Sequence, residues 1–234
     1  MVQYTLEPCT LADAPALARN NMPAFWQDKT WALTWKHTTL EEHIKVQGVR
    51  YARRLLADHK IQRHMKAVDE AGNVVGYARW LIPAERAKDD AGNLVWPEFL
   101  GPTVTDKENA EIEKAVEATS FNPGSDTDAI DEKIQGLNKE VKASLTTPYI
   151  NLDYLAIHPD QQGKGIGTLL LKKVMECAAD LKLDMYILAC KPGFRLYEKM
   201  GFTVLRELVQ DDSMFGGDGK YTMRYLLWTY HDAA

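Results

Sequence analysis

"YINLDYLAIHPDQQGKGIGTLLL", residues 149–171, joins a strand-like segment to a helix-like segment through a turn that contains three glycines. Gly163, Gly165 and Gly167 stand within five positions, where the helix begins. The first amides of a helix have no partner inside the helix and carry a partial positive charge, and glycines let an anion approach them closely. The turn is therefore predicted to bind a phosphate or a pyrophosphate.

Two common phosphate-binding patterns do not fit this turn. The sequence contains no Gly-x-x-x-x-Gly-Lys-Ser/Thr run, and Thr168 stands where the dinucleotide fingerprint requires its third glycine. Taken alone, the glycines are also compatible with a tight strand-to-helix turn that binds nothing.

The strand before the turn changes its hydrophobic phase. Its apolar residues fall on even positions from Ile150 to Tyr154 and on odd positions from Leu155 to Ile157. Side chains alternate with a period of two along a strand, so this pattern predicts a β-bulge near Tyr154 and Leu155. A strand buried on both faces is the alternative, which the polar Asn151 disfavours. A bulge frees a main-chain amide and bends the strand from its neighbour, which suits a ligand inserted between strands.

Composition indicates an ordinary globular protein with a single domain, residues 1–234. Of the 234 residues, 45% are hydrophobic and 26% are charged. The formal net charge of -5 is carried by residues 105–146, which hold ten acidic residues and five lysines. This balance argues against nucleic acid as a partner. The acidic segment is interpreted either as a solvated helical face or as a rim that attracts cationic substrates.

The sequence predicts a soluble, cytoplasmic protein, with a nuclear location left open. It starts with no charged-then-apolar leader, and no apolar stretch approaches the ~18 residues of a membrane span. The three cysteines, Cys9, Cys177 and Cys190, are far apart and form no Cys-x-x-Cys pair, which favours a reducing compartment. The six histidines show no metal-ligand spacing, so no metal site is predicted.

Strands and helices alternate along much of the chain, which predicts an α/β fold with helices covering a sheet. Residues 83–147 interrupt this order with a loop and two polar helices, at roughly 106–119 and 126–145, and are predicted to form a helical insertion on the domain. The C-terminal elements are predicted at 149–157, 165–182, 184–189, 193–200, 202–209 and 221–229.

Two motifs resemble the GCN5-related N-acetyltransferase (GNAT) family. The run from Gln162 to Gly167 is similar to that family's Gln/Arg-x-x-Gly-x-Gly/Ala signature, and "FRLYEKMGF", residues 194–202, resembles its Tyr-x-x-x-Gly-Phe element. The resemblance covers residues 149 to about 205. It implies the acyl-CoA N-acyltransferase fold, with a mixed central sheet, a bulged strand and helices on both faces.

The resemblance also implies acetyl-CoA as cosubstrate. In the family the pantetheine arm lies between the bulged strand and the next strand, where it bonds to main-chain amides. The corresponding residues here are Leu155, Ala156 and Ile157. The pyrophosphate would contact the turn residues, which are Gln162, Gly163, Lys164, Gly165, Ile166, Gly167 and Thr168.

The acetyl group passes directly from the CoA sulfur to an amine in this family. The amine must lose a proton, the carbonyl oxygen needs a hydrogen-bond donor, and the departing thiolate benefits from an acid. By resemblance, the Leu155 amide is the donor and Tyr197 is the acid. Asp153 is the preferred base, and a water bound by Asn151 is left open.

The sequence therefore predicts an N-acetyltransferase that acts on a primary amine of a small molecule or a peptide. A non-catalytic acyl-CoA-binding sensor is the alternative. One position departs from the family pattern: Cys190 stands seven residues before Tyr197, where many relatives have an asparagine that binds pantetheine. The acceptor's identity and the oligomeric state are not predicted.

Overall fold

The fold centres on one seven-stranded sheet. The computed structural model describes residues 3–124 and 127–231, and the strand order is β1-β2-β3-β4-β5-β7-β6. β4 and β5 are parallel and all other neighbours are antiparallel. The predicted mixed sheet is confirmed. Its strands are β1 Thr5–Pro8, β2 Gln62–Val68, β3 Val74–Leu81, β4 Tyr149–Ile157, β5 Asp184–Cys190, β6 Thr203–Asp211 and β7 Lys220–Trp228.

Seven α-helices accompany the sheet in the described part of the chain. Side-chain caps define where several of them begin: Thr39 Oγ1 accepts a hydrogen bond from the Glu42 amide at 3.2 Å, and the Glu42 carboxylate accepts one from the Thr39 amide at 3.1 Å. The helices are α1 Ala14–Trp26, α2 Lys29–Leu33, α3 Leu40–Leu56, α4 Asp106–Glu117, α5 Asp128–Ser144, α6 Ile166–Asp180 and α7 Phe194–Lys199.

The helices cover both faces of the sheet, as predicted. Leu170 and Val174 of α6 are fully buried in one core cluster together with Trp80 of β3. On the opposite face, Leu17 of α1 packs in a second cluster with Tyr77 of β3. Adjacent side chains of a strand point to opposite faces, so β3 contributes to both layers.

The two helices of the 83–147 segment lie at different places on the fold. α4 runs beside α3, where Glu113 and Arg53 form an ion pair at 3.3 Å. α5 packs on the sheet, with Val141 buried against Tyr186 and Tyr225. Residue 126, where α5 was predicted to begin, lies outside the described residues. The division of the chain into a domain with an insertion stays a prediction.

None of the described helices combines the length and the apolar character that crossing a membrane requires. Among the same described residues, no three His, Cys, Asp or Glu side chains cluster as metal ligands would. The cytoplasmic location and the expected absence of a metal stay predictions.

Two histidines, His43 of α3 and His64 of β2, are buried next to aromatic rings. The His43 ring lies 4.1 Å from the Trp35 ring, and His64 Nδ1 lies 2.8 Å from the Tyr77 hydroxyl oxygen. Burial, assisted by nearby positive charge, lowers the pKa of His43 to about 4 and that of His64 to about 3. Both side chains are therefore neutral in the folded protein at pH 5.

The free energy of unfolding is expected to fall as the pH is lowered from about 6.5 to about 4. In this window the unfolded chain protonates these histidines, whose ordinary pKa is about 6.5, while the folded protein does not. Each histidine contributes a slope of up to about 1.4 kcal/mol per pH unit. Urea unfolding at several pH values measures the slope. His43→Gln should reduce it, whereas His37→Gln, at an exposed position, should not; an equal slope in the His43 variant would contradict the assignment.

Candidate active site

The central strand β4 contains the predicted bulge, one residue earlier than expected. Trp80 of β3 pairs with Leu152 and the preceding Arg79 pairs with Tyr154, so Asp153 is the extra residue. The prediction placed the bulge at Tyr154 and Leu155 because Tyr154 was grouped with the even-numbered apolar residues. Its ring instead lies on the face covered by α1 and α3, 5.4 Å from that of Tyr77.

β4 separates from β5 just before this bulge. The two strands pair only from Tyr149 to Asn151 on β4 and from Asp184 to Tyr186 on β5. Beyond Asn151, no strand in the described residues pairs with that edge of β4. Asp153 is exposed when its main chain and side chain are taken together, but its side chain alone is only 25% exposed. Much of the exposed surface of Asp153 therefore belongs to its main chain. The strands thus form a split with free main-chain groups along one side.

Hydrogen bonding to β3 determines which groups face the split. The His158 amide donates to the Val75 carbonyl at 3.2 Å. Because hydrogen-bonded pairs alternate along an antiparallel ladder, the main chain of Ala156 is directed to β3, and that of Leu155 and Ile157 to the split. The geometry agrees with the predicted positions of Leu155 and Ile157. It argues against a main-chain contact from Ala156 to a ligand in the split.

The glycine turn follows directly and leads into α6. Gly163 has φ +78° and Gly165 has φ +86°, and a Cβ at either position would meet no atom within 4 Å. Both therefore provide left-handed backbone next to open space. Gly167 has another role, because a Cβ there would lie 3.2 Å from Leu196 Cδ2. This third glycine lets α7 pack closely against α6.

The amides from Gly163 to Thr168 have no protein acceptor outside their own helix within residues 3–124 and 127–231. They lie together where α6 begins, which is an arrangement that binds anions. Gln162 differs from them, because its amide donates to the Pro159 carbonyl at 3.3 Å. Its side chain donates to Gln27 Oε1 at 3.0 Å. Lys164 is exposed, and its Nζ lies 2.8 Å from Gln161 Oε1.

Tyr197 lies on α7, beside the end of β5. Its side chain is 5% exposed and packs edge-on against Phe202, with ring centroids 5.5 Å apart. A Cβ at Gly193 would lie 2.6 Å from Tyr197 Cε2, so glycine at that position makes room for the ring. Burial, with a smaller effect of neighbouring Cys190, raises the pKa of Tyr197. The hydroxyl is therefore protonated at neutral pH and able to donate.

Asp153 is engaged in an ion pair with Arg79. Arg79 Nε lies 3.1 Å from both carboxylate oxygens, and its Nη2 lies 2.6 Å from Asp153 Oδ2. Burial alone would lower the pKa of Arg79, but the hydrogen bonds to Asp153 dominate and raise it. The pair holds the bulge in place.

Sequence reasoning missed the residue that supports the end of β4. Asn20, in α1, is 1% exposed; its Nδ2 donates to the Ala156 carbonyl at 3.2 Å, and its Oδ1 accepts from the His158 amide at 3.1 Å. In the sequence, the capping-box pattern from Thr10 to Asp13 predicts a helix only as far as Ala18, before this residue. The only local signal is a pair of asparagines within a helix, Asn20 and Asn21, where burial requires partners.

Fold and site together define an α/β protein with a split sheet and an anion-binding turn. Residues 129–204 match the family described as acetyltransferase (GNAT) domain. A 67-residue segment is 28% identical to an uncharacterized N-acetyltransferase of Schizosaccharomyces pombe and covers 28% of each chain. The match thus spans under a third of that relative. The resemblance seen in the sequence is confirmed: residues 129–204 match a GNAT acetyltransferase domain.

Solved structures share the fold over nearly the whole chain. Histone acetyltransferase HPA2 and related acetyltransferase from Corynebacterium glutamicum is 19% identical, with a TM-score of 0.58 over 100% of this chain and 99% of that one. Arylalkylamine N-acetyltransferase 2 from Aedes aegypti is 14% identical, with a TM-score of 0.58 over 98% of this chain and 100% of that one. The C-terminal condensation domain of Ebony, in complex with beta-alanyl-dopamine, is 9% identical, with a TM-score of 0.60 over 96% of this chain and 99% of that one. At these identities the likeness establishes the fold.

Asn20→Ala is expected to destabilise the protein by about 1–3 kcal/mol, because it leaves two buried main-chain groups with fewer partners. Urea unfolding measures the loss. Asn109→Ala, on an exposed position of α4, should change stability by less than about 0.5 kcal/mol. Equal effects of the two substitutions would contradict a supporting role for Asn20.

Proposed function

We propose that the protein is an acetyl-CoA-dependent N-acetyltransferase that transfers the acetyl group directly to a primary amine. One observation carries the proposal: β4 leaves β5 after Asn151, so that the main-chain groups of Leu155 and Ile157 face a split that ends at the glycine turn. A thioester with a pantetheine arm and a pyrophosphate needs main-chain donors followed by an anion-binding turn, in that order.

The turn amides and the strand amides divide the binding of acetyl-CoA between them. The amides from Gly163 to Thr168 would hold the pyrophosphate, because the partial charge where α6 begins favours an anion. The main chain of Leu155 and the amide of Ile157 would bond to the pantetheine arm as an additional strand does. Gln162 would support this edge, since its side chain donates to the Ile157 carbonyl at 3.3 Å and its amide donates to the Pro159 carbonyl.

Two residues of this chain would lower the barrier to transfer. The Leu155 amide donates a hydrogen bond to the carbonyl oxygen as negative charge builds on it. The Tyr197 hydroxyl gives its proton to the departing thiolate, and its raised pKa keeps that proton in place at neutral pH. Burial and, to a smaller extent, the charge of Asp28 raise the pKa of Cys190. Its side chain therefore stays a thiol and does not become a nucleophilic thiolate. This supports direct transfer.

The group that removes the proton of the amine stays a prediction. Asp153 is the candidate from the sequence, and its carboxylate is hydrogen-bonded to Arg79 at both oxygens. That ion pair supports a structural role for Asp153 at the bulge. A water held near Asn151 is the other possibility that the sequence raised.

Release of free thiol from acetyl-CoA, measured with a panel of primary amines, tests the function. The neighbours' names, histone acetyltransferase and arylalkylamine N-acetyltransferase, include both peptide and small amines, so the panel should contain both kinds. Transfer to at least one amine, with the acetylated product identified by mass spectrometry, is expected. Tight CoA binding without turnover on any amine would instead favour an acyl-CoA sensor.

Gly165→Asp is expected to abolish acetyl-CoA binding, whereas Gly165→Asn should weaken it less. Asn and Asp tolerate left-handed backbone about equally, at a cost of about 1–2 kcal/mol, so the variants differ mainly in charge. Calorimetric titration gives the dissociation constants, and circular dichroism confirms folding. An unchanged constant in the Asp variant would exclude this turn as the pyrophosphate site.

Tyr197→Phe is expected to lower kcat by about 10²- to 10⁴-fold with unchanged folding and acetyl-CoA affinity, because only the acidic proton is removed. Burial raises the pKa of Tyr197, so any basic limb due to its ionisation should lie above about pH 10. Saturation kinetics separate the two parameters. Lost acetyl-CoA affinity with normal kcat would mean that the hydroxyl only positions the cosubstrate.

A further inference from the structure

Residues 27–30, which form the turn after α1 and the start of α2, extend from the glycine turn to the β6–β7 loop. Gln27 Oε1 accepts a hydrogen bond from Gln162 Nε2 at 3.0 Å. Two residues on, Lys29 pairs with Asp218, and Thr30 Oγ1 donates to Asp212 Oδ2 at 2.6 Å. Since its neighbours contact both sides of the site, Asp28 is located over the C-terminal ends of the split strands.

The carboxylate of Asp28 is half-buried and has only weak donors. Its Oδ1 accepts from the Trp31 amide at 3.1 Å, which caps α2. Cys190 is the last residue of β5. Burial raises its pKa most, and the charge of Asp28 and a hydrogen bond with Asp28 raise it further. Among the described residues, no lysine or arginine forms an ion pair with Asp28, and adjacent Lys29 is paired with Asp218.

Cys190 is close to both Asp28 and Tyr197. Its side chain packs with Leu188 and Ile130 on the face that α5 covers, opposite to the face of Tyr197. Tyr197 is nevertheless close enough for Cys190 to affect its pKa. Asp28 and Tyr197 therefore lie on opposite sides of the end of β5. An acetyl group beside Tyr197 would be reached by an acceptor arriving from the side of Asp28.

Aromatic rings continue from Asp28 toward the bulge. The Phe25 ring lies 4.8 Å from that of Tyr154, the residue that follows the bulge, and 5.7 Å from that of Trp31. All three residues are half-buried. They form an apolar surface with a carboxylate at its edge. Such a combination binds an ammonium group through charge and π-faces and an attached apolar group through burial.

We infer that Asp28 binds the ammonium group of the acceptor and that Phe25, Trp31 and Tyr154 contact an apolar or aromatic group attached to it. The inference rests on the proposed function, for which it names the acceptor class. Asp153 is less suited to this task, because Arg79 already neutralises it. Within the described part of the chain, no cation pairs with the Asp28 carboxylate in this way.

Binding of 2-phenylethylamine and of its neutral analogue 2-phenylethanol, each titrated into the protein saturated with CoA, tests the inference. The wild type should bind the amine at least about tenfold more tightly, as a charge-assisted hydrogen bond provides. Asp28→Asn should remove this preference. Asparagine is as good an N-cap as aspartate, so α2 should keep its cap. With acetyl-CoA, the KM for 2-phenylethylamine should rise about tenfold or more.

Asp211→Asn is the matched control, because it removes one negative charge next to the β6–β7 loop and leaves the Lys29–Asp218 pair intact. Asp211 is exposed and accepts a hydrogen bond from the Ser213 amide at 3.0 Å, which an asparagine oxygen can also accept, so this variant should keep the preference and KM within about twofold. A preference that persists in Asp28→Asn, an equal loss in Asp211→Asn, or no preference in the wild type would each overturn the inference.

The proposed function can fail separately. If Asp28→Asn abolishes the preference for the amine but no amine is acetylated, Asp28 is the ammonium site of a protein that is not an acetyltransferase. If amines are acetylated and Asp28→Asn binds and turns over 2-phenylethylamine like the wild type, the function stands and the inference is wrong.

Discussion

One extra residue in β4 determines the geometry of the site. With Asp153 inserted, β4 keeps its full pairing with β3 but pairs with β5 only as far as Asn151. A strand that stayed flat would continue its ladder with β5 and leave no main-chain group free. The bulge also shifts the side-chain phase, so that Leu155 and Ile157 join the same core as Ile150 and Leu152. Site and core therefore depend on the same insertion.

A bulge without support would straighten or lose order, and three contacts prevent this. Arg79 and Asp153 form an ion pair across the bulge, and the Tyr154 hydroxyl lies 2.7 Å from that of Tyr51. Asn20 holds the main chain where β4 ends. The polar atoms involved come from α1, α3 and β3, which explains why these elements must pack in one arrangement before the site can form.

The sequence predicted the bulged strand and the glycine turn well, because their determinants are contiguous. β4 has its predicted bounds, 149–157, and the later elements lie within two residues of theirs. The glycine spacing is local information, and positive φ at Gly163 and Gly165 follows from it. The bulge was misplaced by one step because Tyr154 is apolar enough to fit either face, and only packing against Tyr77 decides which one it takes.

The proposed acceptor site could be predicted only in part. The sequence singles out the aromatic cluster that includes Phe25 and Trp31 as a candidate apolar acceptor pocket, whereas Asp28 could not be found, because its contacts form only in the folded chain. Asp28 follows a helix whose buried asparagines and internal Pro23 hide its continuation to Trp26, so the predicted helix stopped short of it. Asp28 lies next to Cys190, and its neighbours Lys29 and Thr30 contact the β6–β7 loop; all of these residues are far away in sequence. Contacts of this kind leave no recognisable spacing in the sequence. The glycine turn is one contiguous motif, whereas the proposed acceptor contacts come from separate elements, so the sequence reveals the first more readily than the second.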